Sequence, residues 1–135
     1  MWRDLERICA AQGIPFHRPS QFPRNGLRAA RLACVSADDQ WVPQFVRNVY
    51  TANFARDLDI ADAGVLLECL NGLVADPQAV LAAAGDEKVK SRLRQNTERA
   101  IELGIFGAPT FAVGNELFWG NDRLEAALEW SRAGE

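Results

Sequence analysis

Residues 105–123, IFGAPTFAVGNELFWGNDR, place a proline immediately before two short alternating apolar runs. Pro109 has no backbone N–H, which the interior of a strand requires, so it belongs at the first residue of a strand or at a sheet edge. Its position is the first indication that this edge is used for binding.

Three cysteines and one histidine are the other residues with nucleophilic or metal-binding chemistry. Cys9, Cys34 and Cys69 are odd in number and widely spaced, so they form no C-x-x-C redox pair, zinc-site spacing or disulfide framework. We expect them to be small buried hydrophobic residues. His17 lies in the loop-like stretch IPFHRPSQFP, where we expect a structural or surface role.

A cluster of carboxylates occurs in the stretch DLDIADAG, at Asp57, Asp59 and Asp62. This stretch lacks the 12-residue loop and terminal glutamate of an EF-hand calcium site. We therefore interpret it as a cluster of charges at the start of a helix, and we predict no metal site.

Composition limits the classes of function. With 135 residues, of which 48% are apolar, the chain can bury one core, so one globular unit is expected. The net charge of −3 gives no basic surface for nucleic acid. No apolar run approaches the roughly 20 residues of a membrane helix, and the N-terminal MWRDLERICA has no signal-peptide apolar segment. The sequence predicts a soluble, cytoplasmic protein with no nucleic-acid or membrane partner.

Apolar residues recur at helical spacing over most of the region before Gly104. Charged residues of its last helix, Arg92 among them, are expected to point mostly outward. The first predicted helix ends at Gly13, the second runs from Asn25 to about Cys34, and the third carries an apolar stripe from Val42 to Asn53. A fourth helix ends at Gly72. The fifth starts at Asp76-Pro77 and ends at Gly85, and the sixth starts at Asp86 and ends at Gly104.

After Gly104 the apolar period changes to two. TFAV and ELFW flank Gly114-Asn115, a pair that suits a tight turn, so the sequence predicts an antiparallel hairpin. Asn121 is then expected to cap a last helix over residues 122–132. Two strands alone make a marginal sheet, which normally needs a third strand or a packed helix.

The run GIFGAPTFAVGNELFWGNDRLEAAL, together with DLDIADAGVLLECL and FPRNGLRAAR, resembles the 2-hydroxychromene-2-carboxylate isomerases, relatives of kappa-class glutathione transferases and DsbA-type proteins. The resemblance covers essentially the whole chain and is most specific at 104–124. It implies a thioredoxin-like α/β fold in which 1–103 is a helical insertion and 104–135 the C-terminal hairpin and helix. Family members open with a strand–helix–strand unit of about 30 residues or more, which this chain is expected to lack. By itself the chain is then helix-rich α+β with one hairpin.

The resemblance also implies a glutathione site at Ala108, Pro109, Asn121 and Asp122. The Ala108–Pro109 bond is expected to be cis, and the backbone of Ala108 to pair with the cysteinyl part of glutathione as an added strand does. Asn121 and Asp122 would bind the γ-glutamyl end. Helix N–H groups favour its carboxylate, and the Asp122 carboxylate pairs with its ammonium.

The implied reaction is the glutathione-dependent isomerisation of an aromatic degradation intermediate. The glutathione thiolate adds to a conjugated carbon, bond rotation or ring closure follows, and the thiolate leaves. In the family, a serine at the start of the first thioredoxin helix lowers the thiol pKa. None of the four serines here, Ser20, Ser36, Ser91 and Ser131, follows a predicted strand. We therefore expect no catalytic residue in this chain, and little or no activity of the chain alone.

Simpler interpretations remain open for each residue. Pro109 could start a strand in trans, Asn121 could be only a cap, and Asp122 could be an acidic first-turn residue that binds nothing. Phe118 and Trp119 are expected in the core rather than at a ligand.

Two further functions also remain open. One is a DsbA-like thiol–disulfide oxidoreductase whose C-x-x-C lies outside this chain, and the other is a non-enzymatic helical binding module. Uncovered apolar surface favours self-association, and a homodimer is the expected assembly.

Overall fold

The computed structural model describes residues 1–36 and 39–134. In this part of the chain seven α-helices and one two-stranded sheet follow each other as α1 (Trp2–Gln12), α2 (Leu27–Ala33), α3 (Val42–Phe54), α4 (Ala63–Leu70), α5 (Pro77–Ala83), α6 (Glu87–Glu102), β1 (Thr110–Val113), β2 (Glu116–Trp119), a 3-10 turn (Asn121–Arg123) and α7 (Leu124–Ala133). None of the described helices is both long and apolar enough to cross a membrane.

Two compact units make up the chain, Met1–Leu93 and Arg94–Glu135. The boundary between these two units lies within α6. The division into 1–103 and 104–135 that the resemblance implies stays a prediction, as does the expectation of one globular unit.

The core of the N-terminal unit is built by helical stripes. Its largest fully buried side chains are Leu32 of α2, Phe45 of α3, and Leu66 and Leu70 of α4. They recur at the helical spacing expected for one apolar face of each helix. The amphipathic helix predicted over residues 42–53 is thus confirmed.

Helix ends in this unit follow local sequence signals. Gly13 ends α1 with a φ of 67°, which glycine adopts without strain. The side chain of Asp62 accepts a hydrogen bond from the Val65 N–H and starts α4. Asp76 likewise accepts a bond from the Ala79 N–H and starts α5. The predicted start at Asp76-Pro77 is therefore confirmed.

Two predictions for this unit were wrong in detail. The N-cap of α2 is Gly26, although Oδ1 of Asn25 accepts a 3.0 Å bond from the Leu27 N–H. Arg92 turns inward, and its Nη1 donates to the backbone oxygens of Cys34 and Val35. These oxygens follow the last turn of α2, where helical carbonyls lack partners within the helix. Arg92, a charged residue of α6, therefore hydrogen-bonds the carbonyl groups at the C-terminal end of α2.

A buried arginine ties the loop after α1 to the end of α3. The Arg24 side chain is only 5% exposed and its Nη2 lies 2.6 Å from Oδ1 of Asp57. Its Nη1 donates to Oδ1 of Asn53 at 2.9 Å. The same Asp57 oxygen accepts bonds from the backbone N–H and the hydroxyl of Ser20. Asp57, Asp59 and Asp62 were expected to form a charge cluster at the start of a helix. Of these three, Asp62 caps α4, whereas Asp57 closes this loop.

The groups around Asp57 stabilise its negative charge. The Ser20 backbone N–H, followed by the Arg24 guanidinium, lowers the pKa of Asp57 from 3.8 to about 2. Because the folded state holds the carboxylate more strongly than the unfolded state, this contribution to stability is present above pH 4 and is lost as the pH falls towards 2.

We predict that Asp57→Asn lowers the free energy of unfolding at pH 6 and that this difference shrinks as the pH falls to 2, where about half of the Asp57 carboxylate is protonated. Asparagine keeps an acceptor for Ser20 and tolerates the φ of 53° at this position, but it removes the charge that faces Arg24. Urea denaturation at pH 6, 4 and 2 measures the difference. Asp4→Asn, on the exposed surface of α1, is the control. A difference that stays constant over this pH range would contradict the assignment.

The C-terminal unit is a hairpin with one packed helix. β1 and β2 pair antiparallel, with Val113 opposite Glu116 across a two-residue turn. Gly114 has a φ of 58° in this turn, as the primed hairpin turns require. α7 packs against both strands, and its Ala127 is buried. The predicted hairpin is confirmed.

The last helix starts later than the sequence pattern predicted. Residues 121–123 form a 3-10 turn whose N-cap is Gly120, and α7 begins only at Leu124. Asn121 is therefore not the helix cap. Gly120 has a φ of 116°, a conformation that side chains rarely adopt, so the chain turns directly from β2 into the 3-10 turn.

Trp119 was expected in the core, but it is 56% exposed. Its ring lies across Gly107 and against Phe106, with ring centroids 5.1 Å apart. A Cβ at position 107 would collide with Nε1 of this ring and lie 2.9 Å from its Cδ1. Glycine at this position therefore makes room for the indole.

We predict that Gly107→Ala displaces the Trp119 ring and lowers the free energy of unfolding by no more than about 1 kcal/mol, because the ring is 56% exposed and can move into solvent. The indole N–H resonance of Trp119 in NMR spectra reports the displacement, and urea denaturation reports the stability. Gly134→Ala is the matched control, since its Cβ would find its nearest neighbour at 3.9 Å. An unchanged Trp119 resonance in Gly107→Ala would show that the position of the ring does not depend on this glycine.

Candidate functional site

The hairpin brings the predicted site residues to one end of the sheet. The Gly120 N–H donates a 2.9 Å hydrogen bond to the Pro109 oxygen, one step beyond the Thr110–Trp119 pair. Ala108 precedes Pro109, and Asn121 and Asp122 follow Gly120, so both predicted segments leave the ladder at the same point. The candidate site is this end of the hairpin, formed by Ala108, Pro109, Asn121 and Asp122.

The Ala108–Pro109 segment presents its backbone to solvent. The peptide bond between the two residues is cis, and both residues are exposed. The Thr110 hydroxyl donates a 2.6 Å bond to the Gly107 oxygen and holds the turn that precedes them. Within the described residues, the Ala108 N–H and C=O make no hydrogen bond. Both groups are therefore available to an external partner.

Asp122 lies beside the backbone of Gly120. A Cβ at Gly120 would be 2.5 Å from Oδ1 of Asp122, so glycine is needed for this approach as well as for its φ. The Asp122 side chain is exposed, and within the described residues no cation pairs with it. The site thus offers a carboxylate that an ammonium group can reach.

The amides that follow Gly120 belong to a 3-10 turn and not to the first turn of α7. The dipole of α7 falls off within its first turn, so it acts on this site less than the sequence-based expectation assumed. The groups that this end of the hairpin offers are mainly the Ala108 backbone and the Asp122 charge.

The other chemistry-bearing residues have structural roles. His17 is exposed, and its backbone N–H donates a 2.6 Å bond to the Phe54 oxygen. Cys34 and Cys69 are buried and Cys9 is half-buried, and these three described residues form no disulfide. Burial raises the pKa of the Cys69 thiol, which disfavours the reactive thiolate. No group of three or more acidic, histidine or cysteine side chains among the described residues could hold a metal ion.

The sequence reasoning missed an aromatic cluster in the N-terminal unit. The rings of Trp2 and Phe22 are 4.8 Å apart, and Phe54 lies 6.4 Å from Phe22 and 6.1 Å from Tyr50. The Phe22–Pro23 bond in this cluster is also cis. The i, i+4 spacing of Tyr50 and Phe54 on α3 could have indicated their contact, but no local pattern links them to Trp2 or Phe22.

Comparison with known proteins identifies the family. Residues 1–129 match the family described as a DSBA-like thioredoxin domain. The chain is 29% identical over 125 residues to the 2-hydroxychromene-2-carboxylate isomerase of Sphingobium xenophagum, covering 93% of this chain and 63% of that protein. It is 25% identical over 137 residues to glutathione S-transferase kappa 1 of Caenorhabditis elegans, covering 92% of this chain and 61% of that relative.

A solved structure agrees with these relatives. A 2-hydroxychromene-2-carboxylate isomerase superposes with a TM-score of 0.82 at 27% identity, covering 97% of this chain and 63% of the other. The chain spans about three-fifths of the length of the curated relatives it matches. It therefore belongs to the DSBA-like thioredoxin-domain family and has the helix-rich fold of that family's 2-hydroxychromene-2-carboxylate isomerases.

Proposed function

We propose that this chain carries the glutathione-binding end of an isomerase of the 2-hydroxychromene-2-carboxylate isomerase type, acting on a small aromatic degradation intermediate. The observation that supports this most is that the Ala108 backbone and the Asp122 carboxylate lie at one end of the hairpin and have no partner among the residues that the structure describes. Relatives named as such isomerases and as kappa glutathione transferases support the choice of reaction and cofactor.

Glutathione fits the chemistry of this hairpin end. Its cysteinyl residue has one N–H and one C=O, which can pair with those of Ala108 as an added strand does. Its γ-glutamyl end carries an ammonium, for which Asp122 supplies the opposite charge, and a carboxylate, for which Asn121 and the 3-10 turn supply N–H donors. Ala108 acts through its backbone, whereas Asp122 acts through its side chain.

In the proposed reaction the glutathione thiolate adds to a conjugated carbon of the substrate. Addition turns the adjacent double bond into a single bond, which rotates before the carbon–sulfur bond breaks and the thiolate leaves. Glutathione is regenerated, so no oxidant or reductant is consumed. The step requires the thiolate, and hence a group that lowers the thiol pKa.

None of the serines in the described chain follows a strand, whereas the resemblance implies that the serine that lowers the thiol pKa starts the first thioredoxin helix. Ser20 is bonded to Asp57 in a loop, and the Ser131 hydroxyl donates to the Leu128 oxygen in α7. Ser91 lies within α6, and Ser36 follows α2 without a preceding strand. We therefore expect these 135 residues alone to bind glutathione with little or no turnover.

Relatives named as 2-hydroxychromene-2-carboxylate isomerases and as a kappa glutathione transferase support isomerisation over disulfide exchange. The three cysteines of this chain do not distinguish the two reactions, because the C-x-x-C of an oxidoreductase would lie outside this chain. Cysteines outside disulfides are usual in reducing compartments, and a cytoplasmic location is part of the proposal.

We predict that Asp122→Ala weakens glutathione binding by about tenfold or more, as expected for loss of a charge-assisted hydrogen bond. Isothermal titration of the whole chain with reduced glutathione measures the change. Glu125→Ala, an exposed acidic residue in the first turn of α7, is the control and should bind as the wild type does.

A glutathione analogue without the γ-glutamyl ammonium distinguishes the contact with the Asp122 carboxylate from the contact with the Ala108 backbone. Wild type and Asp122→Ala should bind this analogue equally, because the group that faces Asp122 is gone. Absence of wild-type binding at millimolar glutathione, or an equal loss in Glu125→Ala, would reject the proposed site.

We also predict that the chain self-associates through apolar side chains of α7. Leu124 and Leu128 lie one turn apart and are 41% and 44% exposed, which favours association. Leu128→Glu should weaken association measured by sedimentation velocity, and Leu27→Glu, 46% exposed in the other unit, should not. A monodisperse monomer of the wild type at high concentration would contradict the expected homodimer.

A further inference from the structure

A polar pocket of about 360 Å³ lies in the N-terminal unit where α2, α5 and the beginning of α6 meet. Its charged lining residues are Arg28 and Arg31 of α2 and Lys90 of α6, and Gln78 of α5 adds an amide. Among the described residues, no acidic side chain lines it. The pocket therefore collects three positive charges in a protein whose net charge is −3.

The packing of three helices brings these cations together. Arg28 and Arg31 lie three residues apart on α2, and residues at this spacing share one face of a helix. α2 packs against α5, and a short connection leads from α5 to α6. Ala84 in this connection and Val89 in α6 are buried, so the first residues of α6 are fixed against the other two helices. Lys90 is thereby held beside the arginines.

The Arg31 guanidinium has no hydrogen-bond partner within the described residues, although its Nε is buried. Its two Nη groups also have no partner there but are not buried, so a ligand can reach them. A buried donor without an acceptor is unfavourable. Guanidinium groups bind the oxygens of anions through paired N–H donors. Arg31 thus offers the pocket a donor group that the described residues leave unused.

Neither ion pairs nor helix dipoles explain this cluster of cations. Within the part of the chain that the structure describes, no carboxylate pairs with Arg28, Arg31 or Lys90. Arg31 lies in the last turn of α2, where a cation is favourable. Lys90 lies near the beginning of α6, where the helix dipole disfavours a positive charge. Like charges in one pocket repel each other, and a bound anion would offset this repulsion.

We infer that this pocket binds a dianionic phosphate group, either free or at the end of a small phosphorylated molecule. A phosphate monoester carries about 1.5–2 negative charges at pH 7 and three acceptor oxygens, so all three cations can contact it at once. A carboxylate has one charge and two oxygens and matches the cluster less well. The pocket volume leaves room for a small organic group beside the phosphate. The site uses none of the residues proposed to bind glutathione.

The test titrates the ¹⁵N-labelled whole chain with inorganic phosphate and with glycerol 3-phosphate at pH 7 and constant ionic strength, kept with sodium chloride. We expect saturable shifts of the Arg28, Arg31 and Lys90 amide signals at millimolar concentrations. The tighter of the two probes tells whether the site prefers free phosphate or a phosphate ester. Dimethyl phosphate, a monoanionic diester like those of nucleic acids and phospholipids, should bind about tenfold more weakly or less.

Variants of Arg31 separate charge from geometry. Arg31→Gln should weaken binding of the tighter probe about tenfold or more. Arg31→Lys keeps the charge but loses the paired donors, so it should weaken binding about 3- to 10-fold. Arg47→Gln, which removes an exposed arginine of α3 outside the pocket, is the control and should bind as the wild type does. Arg28→Gln provides the same test if Arg31→Gln does not fold.

A matched pair of lysines on α6 distinguishes the pocket from the net charge of the protein. Lys90→Gln should weaken binding about 3- to 10-fold, whereas Lys88→Gln removes the same charge outside the pocket and should change nothing. The inference is overturned if neither probe gives saturable shifts, if dimethyl phosphate binds as tightly as they do, or if Lys88→Gln weakens binding as much as Lys90→Gln. Shifts of these signals with protein concentration and without probe would mean that a second copy fills the pocket, which also overturns it.

Discussion

The register of the C-terminal hairpin is the constraint on which the proposed site depends. A two-residue turn pairs Val113 with Glu116, and each further pair follows until Gly120 donates to Pro109. Because side chains alternate between the faces of a strand, a slip by one residue would turn every side chain to the other face. It would also separate Ala108 from Asp122. The two-residue turn at Gly114-Asn115, at the other end of the hairpin, therefore determines whether Ala108 and Asp122 lie close together.

In the N-terminal unit a single buried charge has a comparable role. Arg24 donates hydrogen bonds to Asp57, which closes the loop, and to Asn53 near the end of α3. A buried guanidinium is stable only if carboxylate and amide oxygens replace the water it loses. Removal of either oxygen acceptor would leave a buried Arg24 nitrogen with one bond fewer. Loop closure and the end of α3 are therefore coupled through the Arg24 side chain.

The sequence allowed prediction of features that depend on neighbouring residues. The cap at Asp76, the turn at Gly114 and the stripe of α3 each follow from a few adjacent side chains, and all agree with the structure. Arg92 and Trp119 were misplaced because their partners are distant in sequence. Arg92 binds carbonyls at the end of α2, and Trp119 packs across Gly107. Local periodicity carries no information on such contacts.

The residues of the candidate site differ in how far their proposed roles can be predicted from residue type. Ala108 offers only its backbone, so its residue type says nothing of its proposed role, and many small residues would serve equally well. The glycines beside it are different, because Gly107 makes room for an indole and Gly120 needs both its φ and space for Asp122. Any other residue at these positions would introduce a Cβ where the structure has no space. The sequence therefore marks this site less by the groups proposed to touch glutathione than by the glycines that let those groups approach each other.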